Sequence, residues 1–75
     1  MATILIKLTT EPGIQLFRQV KAGLTLKGLS FTQGCELAGI HRENCRRALY
    51  GLWNGPKAHE ARQKICDVAG FSHDE

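Results

Sequence analysis

The spacing of apolar residues changes once along the chain, near residue 10, and that change divides it into a short arm and a longer helical part. Residues 3–9, TILIKLT, alternate Ile4, Ile6 and Leu8 with Leu5, Lys7 and Thr9, the period of two expected of a β-strand. Beyond them the spacing is helical. Ile14, Leu16, Phe17, Val20 and Leu24 fall on one face of a first helix over about residues 12–27, with Pro12 at its first position, Thr10 or Glu11 as cap and Gly28 closing it. Gly23 costs that helix roughly 1 kcal/mol relative to alanine, which predicts a shorter or bent element. Ser30 and Gln33, three positions apart, form the capping-box pattern that opens a second helix ending at Ala38 and Gly39. In a third helix, about residues 42–50, Cys45, Ala48, Leu49 and Leu52 stand at i, i+3, i+4 and i+7 and are expected to face the core. Asn54-Gly55-Pro56 breaks the pattern and starts a fourth helix over residues 56–69, with Ala58, Ala61, Ile65, Val68 and Ala69 inward and Gly70-Phe71 folding back on its last turn.

The expected fold is therefore mainly α: four helices preceded by one strand. A lone strand leaves its backbone N–H and C=O groups without partners, so Ile4, Ile6 and Leu8 are assigned to a two-stranded ribbon with a second copy of the chain. The other readings of this segment are a flexible arm or the apolar start of a longer first helix. Residues 1–11 form the arm, 12–71 the domain and 72–75 an acidic tail.

With Cys45, Ala48 and Leu49 inward, the polar residues of the third helix turn outward as a narrow basic ridge of Arg42, Glu43, Asn44, Arg46 and Arg47. Two short helices joined at Ala38-Gly39-Ile40, the second carrying such a ridge, are the pattern of a helix-turn-helix whose second helix lies in the DNA major groove. Each residue type suits that task. Arg46 and Arg47 present guanidinium groups able to make two parallel hydrogen bonds to guanine, Asn44 matches adenine, and Arg42 suits a base or a phosphate. Glu43 either accepts from cytosine or forms an i, i+4 ion pair with Arg47. Thr32, Gln33, His41, Tyr50, Asn54 and Lys57 surround the ridge and are the expected phosphate contacts. Trp53, beside Leu52, is expected in the core or at a dimer edge.

Charge supports the same reading. The net charge is only +3, yet residues 14–64 hold nine basic residues against three acidic ones, a balance of +6, while the ends are acidic. Such a concentration suits a polyanion surface, although solvated helix faces give the same count. At 75 residues the chain is one small domain, for which a partner subunit is the favoured source of extra stability. Three cysteines, an odd number, and no charged start followed by a long apolar run point to a reducing, cytoplasmic, nucleoid-associated setting. Cys35, His41, Cys45, His59, Cys66 and His73 lack metal-ligand spacing, so no metal or cofactor is expected. No residue set suggests a catalytic cleft, and an enzyme is not expected.

With the helices placed, the chain resembles the lambda-repressor and Cro-like helix-turn-helix regulators, in particular very small phage and bacterial DNA-binding proteins. The likeness runs over about residues 14–70 and rests on Gln33 near the start of the second helix, Cys35 where the family favours alanine, Gly39 and Ile40 in the turn, Cys45 and Ala48 at core positions, and Gly51 after the third helix. Gly34 and Ala38 are smaller than the family's usual residues, and the fifth helix that often makes its dimer is missing. The resemblance implies a homodimeric, sequence-specific repressor on a palindromic operator. An architectural or excisionase-like factor, and a protein-interaction module using Ile4, Ile6, Leu8 and Trp53, are the alternatives.

Overall fold

The Ser30 hydroxyl accepts a hydrogen bond from the Gln33 backbone N–H at 3.1 Å, and the Gln33 side chain accepts from the Ser30 N–H at 2.9 Å. Two orphan donors of a helix start are thereby satisfied by the two residues that the sequence pattern names. In the computed structural model, which describes Thr9 and residues 11–71, this box opens the second of four helices. They are α1 (Ile14–Leu26), α2 (Phe31–Ala38), α3 (Arg42–Tyr50) and α4 (Pro56–Ala69). The expected strand with Ile4, Ile6 and Leu8, and the acidic tail, lie outside the described residues.

The helices pack around Leu16, Val20, Leu24, Cys35, Cys45, Leu49, Ile65 and Cys66, each at most 1 % exposed. A second cluster of Ala48, Ala58 and Ala61, covered by Trp53 and Ile40, joins α3 to α4. Small residues let these two helices approach closely, and the Trp53 ring closes the edge. Among the described residues no polar or charged side chain is buried.

Three expectations need correction. The first helix begins at Ile14, not Pro12, because the Gly13 N–H donates to the Leu49 carbonyl of α3 at 2.7 Å, a tertiary bond in place of a local cap. Leu52 does not join the inner stripe; 67 % of its surface is exposed. The helix stops at Tyr50, the chain reverses at Gly51, and the Leu52 and Trp53 N–H groups both fold back onto the Arg47 carbonyl, at 2.9 and 3.2 Å. An i+7 position has no meaning once the helix has ended, and Trp53 covers Ala48 instead. In α4 the inner stripe includes Cys66, while Val68 is only half-buried.

Gly23 neither shortens nor ends α1, which runs through it to Leu26. Its value lies in contact. A Cβ there would sit 2.5 Å from the Ala69 carbonyl oxygen and 3.1 Å from both the Ala69 Cβ and the Phe71 ring. Gly23→Ala should therefore destabilise the fold by up to about 2 kcal/mol, since overpacking strain of roughly 1–3 kcal/mol, at a contact this close, outweighs the gain in helix propensity of about 1 kcal/mol. Thermal unfolding of the variant tests this, and a raised midpoint would mean that the α1–α4 contact gives way freely. Gly34 faces the side chain of Leu24 in α1, and its small size lets α2 pack against α1.

The three cysteines are all buried and free. Burial raises each thiol's pKa: upward for Cys35, further for Cys45, and from the ordinary 9.0 to about 11 for Cys66. A neutral thiol is thus favoured in the folded state. Its contribution is complete below the unfolded pKa and is lost as pH rises through the folded one, so stability should fall between pH 9 and 11. For Cys66 the loss by pH 10 is on the order of 1 kcal/mol. Denaturant titrations at pH 8 and pH 10, in the wild type and in Cys66→Ala, measure it; equal drops in both would exclude this thiol as the cause.

Candidate nucleic-acid interface

Gly39 takes the left-handed conformation, φ 74°, ψ 30°, that turns the chain from α2 into α3. The Ile40 N–H returns to the Cys35 carbonyl at 3.0 Å, which ties the turn to the helix it leaves. His41 then caps α3 through its side chain, Nδ1 accepting from the Glu43 N–H at 3.3 Å. Cys35 of α2 and Cys45 of α3 are both buried in the core cluster that these helices share. Ordinary local rules thus hold α3 with Cys45, Ala48 and Leu49 inward and its charged residues in solvent.

At about 100° per residue the outward line of α3, opposite those three, is Glu43 and Arg47. Arg42, Arg46 and Tyr50 fall on the flank over α1 and α2, and Asn44 falls on the flank over α4. The cavities follow the two flanks: Arg42 and Arg46, joined by Glu43 from the outward line, line a recess with Phe17, Lys21 and Phe31, whereas His41 and Asn44 line another with Trp53, Lys57 and Lys64. All five ridge residues are exposed.

Their mutual contacts differ from the sequence expectation in one respect. Glu43 pairs with Arg46 at 3.7 Å, an i, i+3 contact, and not with Arg47. This is the only ion pair among the described residues. Both side chains are about half-exposed, so the pair is worth at most a few tenths of a kcal/mol and leaves either group available. Arg46 also lies over the Tyr50 ring, 5.7 Å from its centroid.

The expected phosphate contacts are scattered more than their sequence proximity suggests. Thr32 and Lys57 are exposed, at the starts of α2 and α4. The Gln33 side chain is engaged in the capping box, and Asn54 donates to the Gly51 carbonyl at 2.9 Å. Tyr50 stacks on Phe17, ring centroids 4.8 Å apart, and is half-buried. Two of the basic side chains hold the fold together. Arg62 donates to the Ala48 carbonyl at 2.8 Å and to the Trp53 carbonyl at 3.4 Å, closing the end of α3, and Lys27 donates to the Val68 carbonyl at 3.0 Å. Neither role leaves a local sequence signal, because every partner lies 9 or more residues away.

Among the described residues no group of three or more His, Cys, Asp or Glu side chains gathers as a metal site, and no helix is long and apolar enough to cross a membrane. No protein family, curated protein or solved structure matches the chain.

Proposed function

We propose that this chain is a sequence-specific double-stranded DNA-binding regulator of the lambda-repressor and Cro-like helix-turn-helix class, with α2 and α3 as the motif and α3 entering the major groove. The observation that carries the reading is the division of α3: Cys45, Ala48 and Leu49 fully buried, and Arg42, Glu43, Asn44, Arg46 and Arg47 in solvent with only one weak ion pair among them. Arginines engaged by the protein's own acids would have spoken against it. Arg47 is the central base reader, with Glu43 beside it and Asn44 at the amino end of the helix, where Arg42 suits a base or a phosphate. Thr32, His41 and Lys57 flank them as phosphate contacts.

The regulator acts as a homodimer on a palindromic operator, most simply as a repressor of phage or prophage type that excludes polymerase. Ile4, Ile6 and Leu8 supply the subunit contact in this scheme. Thr9 leads into that segment from α1, where its N–H and carbonyl are both bonded to the Gln19 side chain at 2.8 and 3.0 Å. Two copies of α3 would meet half-sites about one helical turn apart, ~34 Å, and the linkage of two modules provides affinity that a single one lacks.

The rival is a protein-interaction module. It is favoured by an apolar groove of about 560 Å³ between α1 and the end of α4, lined by Ala22, Gly23, Leu26 and Phe71, with Leu26 89 % exposed. Selection from a random duplex pool, followed by titration over salt, separates the two. The DNA reading expects inverted repeats among the bound fragments and a log–log salt slope of about −0.9 per phosphate contact. No enrichment and a flat salt response would transfer the protein to the rival class.

A further inference from the structure

An α-helix with its side chains is about 10–12 Å across, and the major groove is about 12 Å wide. If α3 lies in that groove, which is the reading proposed above, its two flanks cannot avoid the phosphate walls. What each flank offers is then a question of chemistry. On the α1 and α2 side it is a recess of about 310 Å³ whose lining is Phe17, Lys21, Phe31, Arg42, Glu43 and Arg46.

Three cations face one carboxylate there, and that carboxylate is shared with Arg46. The floor is aromatic: Phe17 meets Phe31 edge to face at 5.3 Å and stacks on Tyr50 at 4.8 Å. Two of the cations lie on ring faces. Lys21 Nζ is 5.6 Å from the Phe17 centroid, and the Arg46 guanidinium is 5.7 Å from that of Tyr50. Cation–π attraction holds each charge at the rim while leaving N–H donors free, and rings that exclude water from beneath strengthen the attraction for an anion above. Lys21 reaches the recess from α1, seven residues into that helix and outside the α2–turn–α3 segment altogether.

We propose that this recess binds one phosphodiester of the DNA backbone at the edge of the groove, with Lys21, Arg42 and Arg46 on the phosphate oxygens and the deoxyribose against Phe17 and Phe31. The ligand is backbone, so the site contributes affinity and register but no base preference. Base reading is left to the outward line of α3, led by Arg47. The inference rests on the DNA-binding reading and adds α1 to its footprint.

The test uses the full chain with two duplexes, one selected from the random pool and one of unrelated sequence, titrated over a range of salt. Lys21→Met keeps the aliphatic stem over Phe17 and removes the charge; Lys21→Arg retains it. Lys21→Met should weaken binding to both duplexes by the same factor and reduce the salt slope by about 0.9, while Lys21→Arg keeps the wild-type slope. Lys21 is exposed, so thermal unfolding should not change. An unchanged slope with DNA binding intact would overturn this inference alone, as would a loss confined to the selected duplex. Wild-type protein that binds neither duplex in a salt-dependent way overturns the parent reading and this one with it. A polyglutamate probe whose binding needs Lys21, with DNA binding untouched by Lys21→Met, would reassign the recess to an acidic peptide.

Discussion

Arg47→Ala is expected to erase the preference for one base pair in each half-site, a loss of about 1–3 kcal/mol of discrimination or roughly 5- to 150-fold, while binding to unrelated duplex persists. Arg47 lies opposite the buried stripe of α3, is exposed, and has no ion-pair partner among the described residues. Nothing in the fold rests on its side chain. The Leu52 and Trp53 N–H groups that end α3 bond to its backbone carbonyl, which alanine retains, and alanine favours the helix at least as well as arginine does. The variant should therefore unfold at the wild-type temperature. Competition with duplexes altered one base pair at a time is the measurement. A uniform loss at every sequence would make Arg47 a phosphate contact and move base reading elsewhere on α3.

Leu49→Ala and Leu52→Ala should differ sharply although both residues belong to the same i, i+3, i+4, i+7 series. Leu49 is fully buried, in the cluster that joins α3 to α1 and α4, and its carbonyl receives the Gly13 N–H at the start of α1. Truncating it leaves a cavity at that junction and should cost about 2–5 kcal/mol. A 75-residue domain has roughly 4–11 kcal/mol in total, so about half of the margin is at stake. Leu52 is largely in water, and its truncation should stay within about 0.5 kcal/mol of wild type. Urea unfolding of both variants decides the matter. Similar losses at both positions would mean that Leu52 is covered in solution, by a second copy or another partner.

The same pair marks where sequence reading stops. The four helices follow from signals contained within a few residues of each other. Ser30 and Gln33 satisfy each other's backbone groups, Gly39 turns the chain, Pro56 begins α4, and the Gly70-Phe71 pair folds back onto Asp67 and Cys66. The inward residues of α3 up to Leu49 follow from periodicity alone. Periodicity fails at Leu52 because it assumes that the helix continues, and the reversal at Gly51 ends that assumption. The start of α1 is misjudged for the opposite reason: Pro12 is a sound local signal, but the Gly13 N–H finds its acceptor in α3.

What the chain determines by itself is local: four helices, the capping box of α2, the glycines that end α2, α3 and α4, a narrow buried stripe on α3, and a charged ridge facing away from it. The meeting of distant residues was decided only by the tertiary structure. Gly23 reads as a weak helix residue and proves to be the point where α4's last turn touches α1; Arg62 and Lys27 read as surface charge and prove to bind helix-terminal carbonyls. Lys21 reads as one more solvated lysine and stands beside Arg42 and Arg46 over an aromatic floor. The physical reason is range. Helix propensity, capping and periodicity act within a turn or two of the chain and are written in adjacent residues, whereas a through-space contact depends on how whole helices pack, which no short stretch of sequence contains.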